Sequence, residues 1–222
     1  METTEKLLRV TPQELSAVFD RLKAERVTHL AILGPGISFP ANANRWPNYL
    51  QFQLSEQWPA LVDRVIRLQH LEGLNLLGLD LDNAGARAIA ESLTELQKLW
   101  LDNNSVGQPT IDVLGQRLRS LTRLSISGNM DVRDIGALAD LSALRFLGVA
   151  STSVSDLGPF AERIADGWPV SWQRWSNEDG LNVQDCPLVR PPRLLSKAPR
   201  PYAITSANWR LRAKIFFMKP KC

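Results

Sequence analysis

The sequence predicts a curved α/β solenoid, with parallel strands lining a concave side and helical returns on a convex side. Three observations predict it. Leu96, Leu99, Leu101, Asn104 and Val106 follow the spacing L-x-x-L-x-L-x-x-N-x-L. The spacing returns 25 residues later as Leu121, Leu124, Ile126 and Asn129. Helix-forming stretches lie between the copies, such as residues 84–95 (AGARAIAESLTE). Units of this length cannot bury an apolar face alone and must stack on one another.

The spacing is that of a leucine-rich repeat, and the expected architecture is its open horseshoe. First positions of the template fall on Val27, Leu71, Leu96, Leu121, Leu144 and, less clearly, Glu178, at gaps of 44, 25, 25, 23 and 34 residues. Alternation along a strand turns positions 4 and 6 inward together, as with Leu99 and Leu101 or Leu124 and Ile126. Each such burial contributes about 1.5–3 kcal/mol before costs. Position 9 follows the strand and turns the chain. Asn104 and Asn129 suit it, because an amide satisfies backbone groups buried between coils. Thr152 and Cys186 are smaller substitutes there, while Leu79 and Pro35 depart from the template. The returns carry apolar residues at helical spacing, Ile89 and Leu93 in one, Ile111, Leu114 and Leu118 in the next.

The flanks complete the layout. Residues 1–26 contain a capping helix over 11–25, with Thr11 and Glu14 as a capping box, Pro12 in the first turn, and Leu15, Val18, Phe19 and Leu22 as the apolar face. The repeat domain occupies 27–189, interrupted near 38–70 by an insertion that is irregular over 38–57 and helical over 60–70. Trp168, Trp172 and Trp175 have helical spacing and are placed to seal the C-terminal end of the solenoid.

Charge marks a third segment. The chain carries a formal net charge of +3, yet residues 190–222 hold nine basic residues and no acidic one, leaving 1–189 at −6. This basic tail is expected to be irregular. An arm for nucleic acid or an anionic membrane is the other meaning of such a run, but no nucleic-acid fold accompanies it. No apolar run is long enough for a transmembrane helix, the N-terminus METTEKLLRV lacks the apolar core of a signal peptide, and two cysteines make no disulfide framework. The expected location is the cytoplasm.

The C-terminal residues point to a family. From Asp156 to Pro192 the chain reads D-L-G-P-F, then G-W-P-V-S-W, then G-L-N-V-Q-D-C-P-L-V-R-P-P. This resembles the end of the repeat domain of bacterial Roco (Roc–COR) GTPases, which continues P-P-E-I-V-K-Q-G into a GTPase domain. The match stops at Pro192. Reading from the third base of the Pro192 codon, permitted codons turn Arg193–Ala198 into EIVKQG and Ile215–Cys222 into DFLYEAKV. The resemblance thus implies a chain truncated by a frameshift, an expectation that fails if the codons of the gene do not give those residues. The nucleotide-binding machinery would then lie beyond Cys222, and no G-x-x-x-x-G-K-[ST] loop occurs here.

Other chemistry is not expected. His29 and His70 lie in different repeats, and neither H-E-x-x-H nor C-x-x-C occurs, so neither metal nor cofactor is expected. Cys186 at position 9 suits a buried spacer better than a nucleophile. The chain is therefore expected to be a non-catalytic module that binds another protein, not nucleic acid or membrane, with a homodimer left open. Its alternative is the N-terminal regulatory fragment of a Roco-type GTPase. Positions 3, 5 and 7 face outward from the concave sheet, where strands stand about 4.8 Å apart. Lys98, Trp100, Asp102, Arg123 and Phe146 form the expected partner patch, because aromatic and arginine side chains anchor interfaces.

Overall fold

The computed structural model of the protein describes residues 7–10, 14–35, 37, 49–52, 58–172 and 179–188. It is a leucine-rich repeat solenoid. Among the described residues nine strands form a single sheet: β1 (Leu7–Val10), β2 (His29–Leu33), β3 (Tyr49–Phe52), β4 (Gly73–Leu77), β5 (Lys98–Trp100), β6 (Arg123–Ser125), β7 (Phe146–Gly148), β8 (Val170–Ser171) and β9 (Gly180–Asn182). Their order is β1-β3-β2-β4-β5-β6-β7-β9-β8, and every neighbouring pair is parallel. Among the described residues no helix is long and apolar enough to cross a membrane.

The template sets the register. Position 4 aligns Leu74, Leu99, Leu124, Leu147 and Leu181 across five strands, all fully buried. Leu76, Leu101, Ile126, Val149 and Val183 form a second buried row at position 6. The returns close the core from the other side. Helix α3 (Asn83–Ser92) buries Ala86, Ile89 and Ala90, and α4 (Gln108–Arg117) buries Ile111, Val113 and Leu114. Asp82 caps α3 by accepting a 2.8 Å hydrogen bond from the Gly85 amide. Asn83 Oδ1 ties the two returns together, accepting from the Gly107 amide at 2.8 Å and the Thr110 hydroxyl at 2.7 Å.

Position 8 carries a regularity of its own. Gly78, Asn103, Gly128, Ser151 and Asp185 all occupy it, and all have φ between 52° and 78°. These five coils leave their strands through this left-handed residue, which suits Gly and Asn and is tolerated by Asp. The turn delivers position 9 into the interior. Asn129 accepts from the amides of Asn104 and Val106 (3.1 and 3.4 Å) and donates to the carbonyls of Leu101 and Ile126 (2.9 and 2.8 Å). Asn104 repeats the arrangement one coil earlier, accepting from the amides of Leu79 and Leu81 and donating to Leu76. Thr152 donates to the Val149 carbonyl within its own coil, and its hydroxyl lies 3.6 Å from Cys186 Sγ of the next. Cys186 does bridge, its thiol reaching the Val149 carbonyl at 2.9 Å, and burial raises the thiol pKa.

Four local expectations differ from the structure. The insertion is not irregular throughout, because β3 lies within it, ahead of α2 (Trp58–Val65), and enters the sheet between β1 and β2. Its Tyr-Leu-Gln-Phe sequence alternates as a strand requires, and Leu50 is buried. Helix α1 (Leu15–Ala24) begins after Glu14 without a side-chain cap; Thr11 and Pro12 lie outside the described residues. The return after β6 is only a 3-10 turn, Gly136–Leu138. That coil is 23 residues long, and a 3-10 turn spans more length per residue than an α-helix. Trp168 and Trp172 do not share a helix, since α5 (Ala161–Ala165) ends before them and β8 separates them. Trp168 instead packs against Phe160, ring centroids 5.5 Å apart, beneath the Arg163 guanidinium. Trp175, most of residues 38–57 and the whole of 189–222 lie outside the described residues.

Candidate functional site

The concave sheet brings the predicted patch together in two rows. Position 3 aligns His29, Gly73, Lys98, Arg123, Phe146 and Gly180. Position 5 aligns Ala31, Asn75, Trp100, Ser125, Gly148 and Asn182. Lys98, Trp100, Asp102 and Arg123 are half-buried. Trp100 is by far the largest side chain in its row, flanked by Asn75 and Ser125, 7% and 5% exposed.

Two members of the patch do not stand open as the alternation alone suggests. Phe146 is 4% exposed, because its ring lies across Gly148 and beneath the Arg123 guanidinium, 4.8 Å from the ring centroid. A Cβ at Gly148 would come within 3.3 Å of that ring and 2.6 Å of Ser125 Oγ, so the bare glycine makes room for both. Phe146 is thus a floor under Arg123 rather than a contact surface. Asp102 is turned into the structure. Its Oδ1 accepts from the Ser125 hydroxyl at 2.6 Å and the Ser127 amide at 2.8 Å, clasping the next coil.

Burial pushes the Asp102 carboxyl up to about 6, against the opposing pull of the two hydrogen bonds. The folded chain then holds a proton that the unfolded chain has released between pH of about 4 and about 6. Stability therefore falls as the pH rises through that window. Asp102→Asn keeps an acceptor for both donors and removes the titration. Its melting temperature relative to the parent is expected to rise by about 3–6 °C between pH 4 and pH 7.5, a value discounted for the partial exposure of the residue. A difference that stays flat with pH would show that Asp102 is already fully ionised at pH 4.

Glu72, Arg145 and Asp179, which the sequence reading passed over, complete the site beside His29, Lys98 and Arg123. Lys98 Nζ lies 3.5 Å from His29 Nε2, above Gly73. Burial and the neighbouring Lys98 charge lower the His29 pKa, and Glu72 opposes them. Arg123 pairs at 2.6 Å with Asp179 Oδ1, and Arg145 pairs at 2.6 Å with Asp179 Oδ2. Burial alone would raise the Asp179 carboxyl, but hydrogen bonds and charge from Arg145 and Arg123 hold it below the ordinary carboxylate range. The signal was in the register: Arg145 and Asp179 both occupy position 2, in adjacent coils, with opposite charges. Among the described residues no three His, Cys, Asp or Glu side chains are grouped to hold a metal ion.

No protein-family model and no curated protein matches the chain. Among solved structures it is similar to internalin C2 of Listeria monocytogenes str. 4b F2365, at 24% identity and a TM-score of 0.49, over 71% of this chain. The matched region spans 60% of that internalin.

Proposed function

We propose that the protein is a non-catalytic recognition module that holds a partner protein against its concave sheet, with Trp100 at the centre and Lys98 and Arg123 beside it. The observation that carries this reading is the second concave row, where one indole stands among Ala, Asn, Ser and Gly. An aromatic raised above small neighbours gives a partner a large area to cover at little entropic cost. The ionic neighbours supply orientation.

The test compares the whole chain with Trp100→Ala and a convex-side control, Arg87→Ala, as immobilised baits for chemical cross-linking. Trp100→Ala is expected to retain its melting temperature within a few degrees while losing a partner held by the other two at least about ten-fold. Equal retention by Trp100→Ala would remove Trp100 as the anchor of the interface.

A second reading rests on the residue resemblance over 156–192. In it the module is the N-terminal regulatory fragment of a Roco-type GTPase, lacking the GTPase domain. The D-C-P-L run that follows β9 supports this reading.

A further inference from the structure

Arg123 and Arg145 approach one carboxylate from adjacent coils. Arg123 Nη1 donates to Asp179 Oδ1 at 2.6 Å, while Arg145 donates to Oδ2 through Nη2 at 2.6 Å and Nε at 3.0 Å. The Arg123 guanidinium and the Arg145 backbone are set in place from below. The Phe146 ring supports Arg123. The Arg145 carbonyl is pinned by the Gly180 amide at 2.7 Å and the Trp168 indole at 2.9 Å. The cluster nonetheless opens to solvent: side-chain exposure is 19% for Arg123, 39% for Asp179 and 71% for Arg145.

Two features set this cluster apart from a pair that only stabilises the fold. An ion pair this exposed contributes little to stability. Its charge is also unbalanced, because a single carboxylate faces two guanidiniums, and Lys98 stands beside Arg123 on the next strand. Asp102, on the same coil as Lys98, is directed into the Ser125–Ser127 clasp. The concave face therefore presents a positive strip along β5–β7 whose geometry already fits a carboxylate.

We propose that Arg123 and Arg145 form a carboxylate clamp by which the concave face takes an acidic side chain of a polypeptide partner, and that Asp179 is the internal occupant of this clamp in the free chain. The proposal rests on the reading of the concave sheet as the binding face, and adds what it recognises. The incoming side chain replaces Asp179 on the same donors. Asp179 swings into water, and recognition is weakened by the competition between the two carboxylates.

The test uses the full chain and a short fluorescein-labelled oligoglutamate peptide, read by anisotropy at low salt. Asp179→Asn keeps the shape of the internal occupant and removes its charge. It is expected to bind the peptide at least about ten-fold tighter than the parent. Adding Arg145→Met, at the most exposed member of the clamp, or Arg123→Lys, which keeps charge but loses the fork, is expected to abolish that gain with melting temperatures unchanged. Equal affinity of parent and Asp179→Asn overturns the proposal, as does a gain that survives Arg145→Met. An oligothymidylate of equal charge gaining as much as the peptide also overturns it, since the site would then be a general anion surface. Failure of the Trp100→Ala test with the Asp179→Asn gain intact removes the central anchor and leaves the clamp standing. The converse result removes the clamp alone.

Discussion

Asn129→Ala is expected to lower the unfolding free energy by roughly 3–5 kcal/mol in urea titrations, the largest loss from any single side chain that contributes no apolar area. Asn129 is 1% exposed. Removing its amide leaves the Asn104 and Val106 N–H groups without their acceptor and the Leu101 and Ile126 carbonyls without their donor. An orphaned buried group costs about 1–3 kcal/mol, and relaxation or water entry recovers part of the sum. Asn104→Ala should cost less, because Asn104 is only half-buried and water can reach the vacated groups. The measurement is decisive through that ordering. Equal losses, or a loss below about 1 kcal/mol for Asn129→Ala, would mean that the amides do not join the coils.

Gly115→Ala is expected to destabilise the chain by about 1–3 kcal/mol, against the ordinary preference of a helix. In an exposed helix interior alanine is favoured over glycine by about 1 kcal/mol. Gly115 instead lies buried near the end of α4, against the return of the next coil. A Cβ there would run into the backbone carbonyl of Ala137 within the Gly136–Leu138 turn. Backbone cannot rotate away as a side chain would, so the turn must shift, and overpacking of this kind costs more than the helix preference returns. Gln116→Ala, an exposed neighbour on the same helix, should stay within about 0.5 kcal/mol of the parent. Thermal melts of the two variants side by side give the answer. A stabilised Gly115→Ala chain would mean that α4 and the 3-10 turn pack less closely than described.

Much of the solenoid was legible because one short template fixes several things together. Leu74, Leu99, Leu124, Leu147 and Leu181 could be aligned on paper, and that alignment is the strand register itself. The apolar residues of the returns were legible for the same reason, since Ile89, Ile111 and Leu114 repeat at helical spacing. What escaped depends on size across strands rather than along them. Phe146 alternates as an outward residue, but the absence of side chains on Gly148 and its own bulk fold the ring down. Asp102 reads as an outward member of the partner patch until Ser125 and Ser127 are seen to lie one strand spacing away, with a hydroxyl and an amide to offer. The left-handed residue at position 8 escaped the reading, because Ser151 and Asp185 in the last two coils disguise its recurring Gly and Asn. Strand β3 escaped because it belongs to no copy of the template.

The change of return type along the chain alters the shape of the concavity. Packed α-helices stand about 8–10 Å apart, whereas strands stand about 4.8 Å apart. Each coil backed by a full helix is thus a wedge, wider outside than inside by about 4 Å, and stacked wedges bend the strands into an arc. Across β4–β6 the backing is α3 and α4. Beyond β6 it thins to the 3-10 turn at Gly136–Leu138, then to the 3-10 turn at Gly158–Phe160 that leads into the five-residue α5. Thin backing makes a slimmer wedge, so the arc relaxes towards β9. The two halves of the trough then admit differently shaped bodies. The tight half around Trp100 would cup a rounded surface, while the flatter half around Arg123 and Arg145 would let an extended chain lie along it.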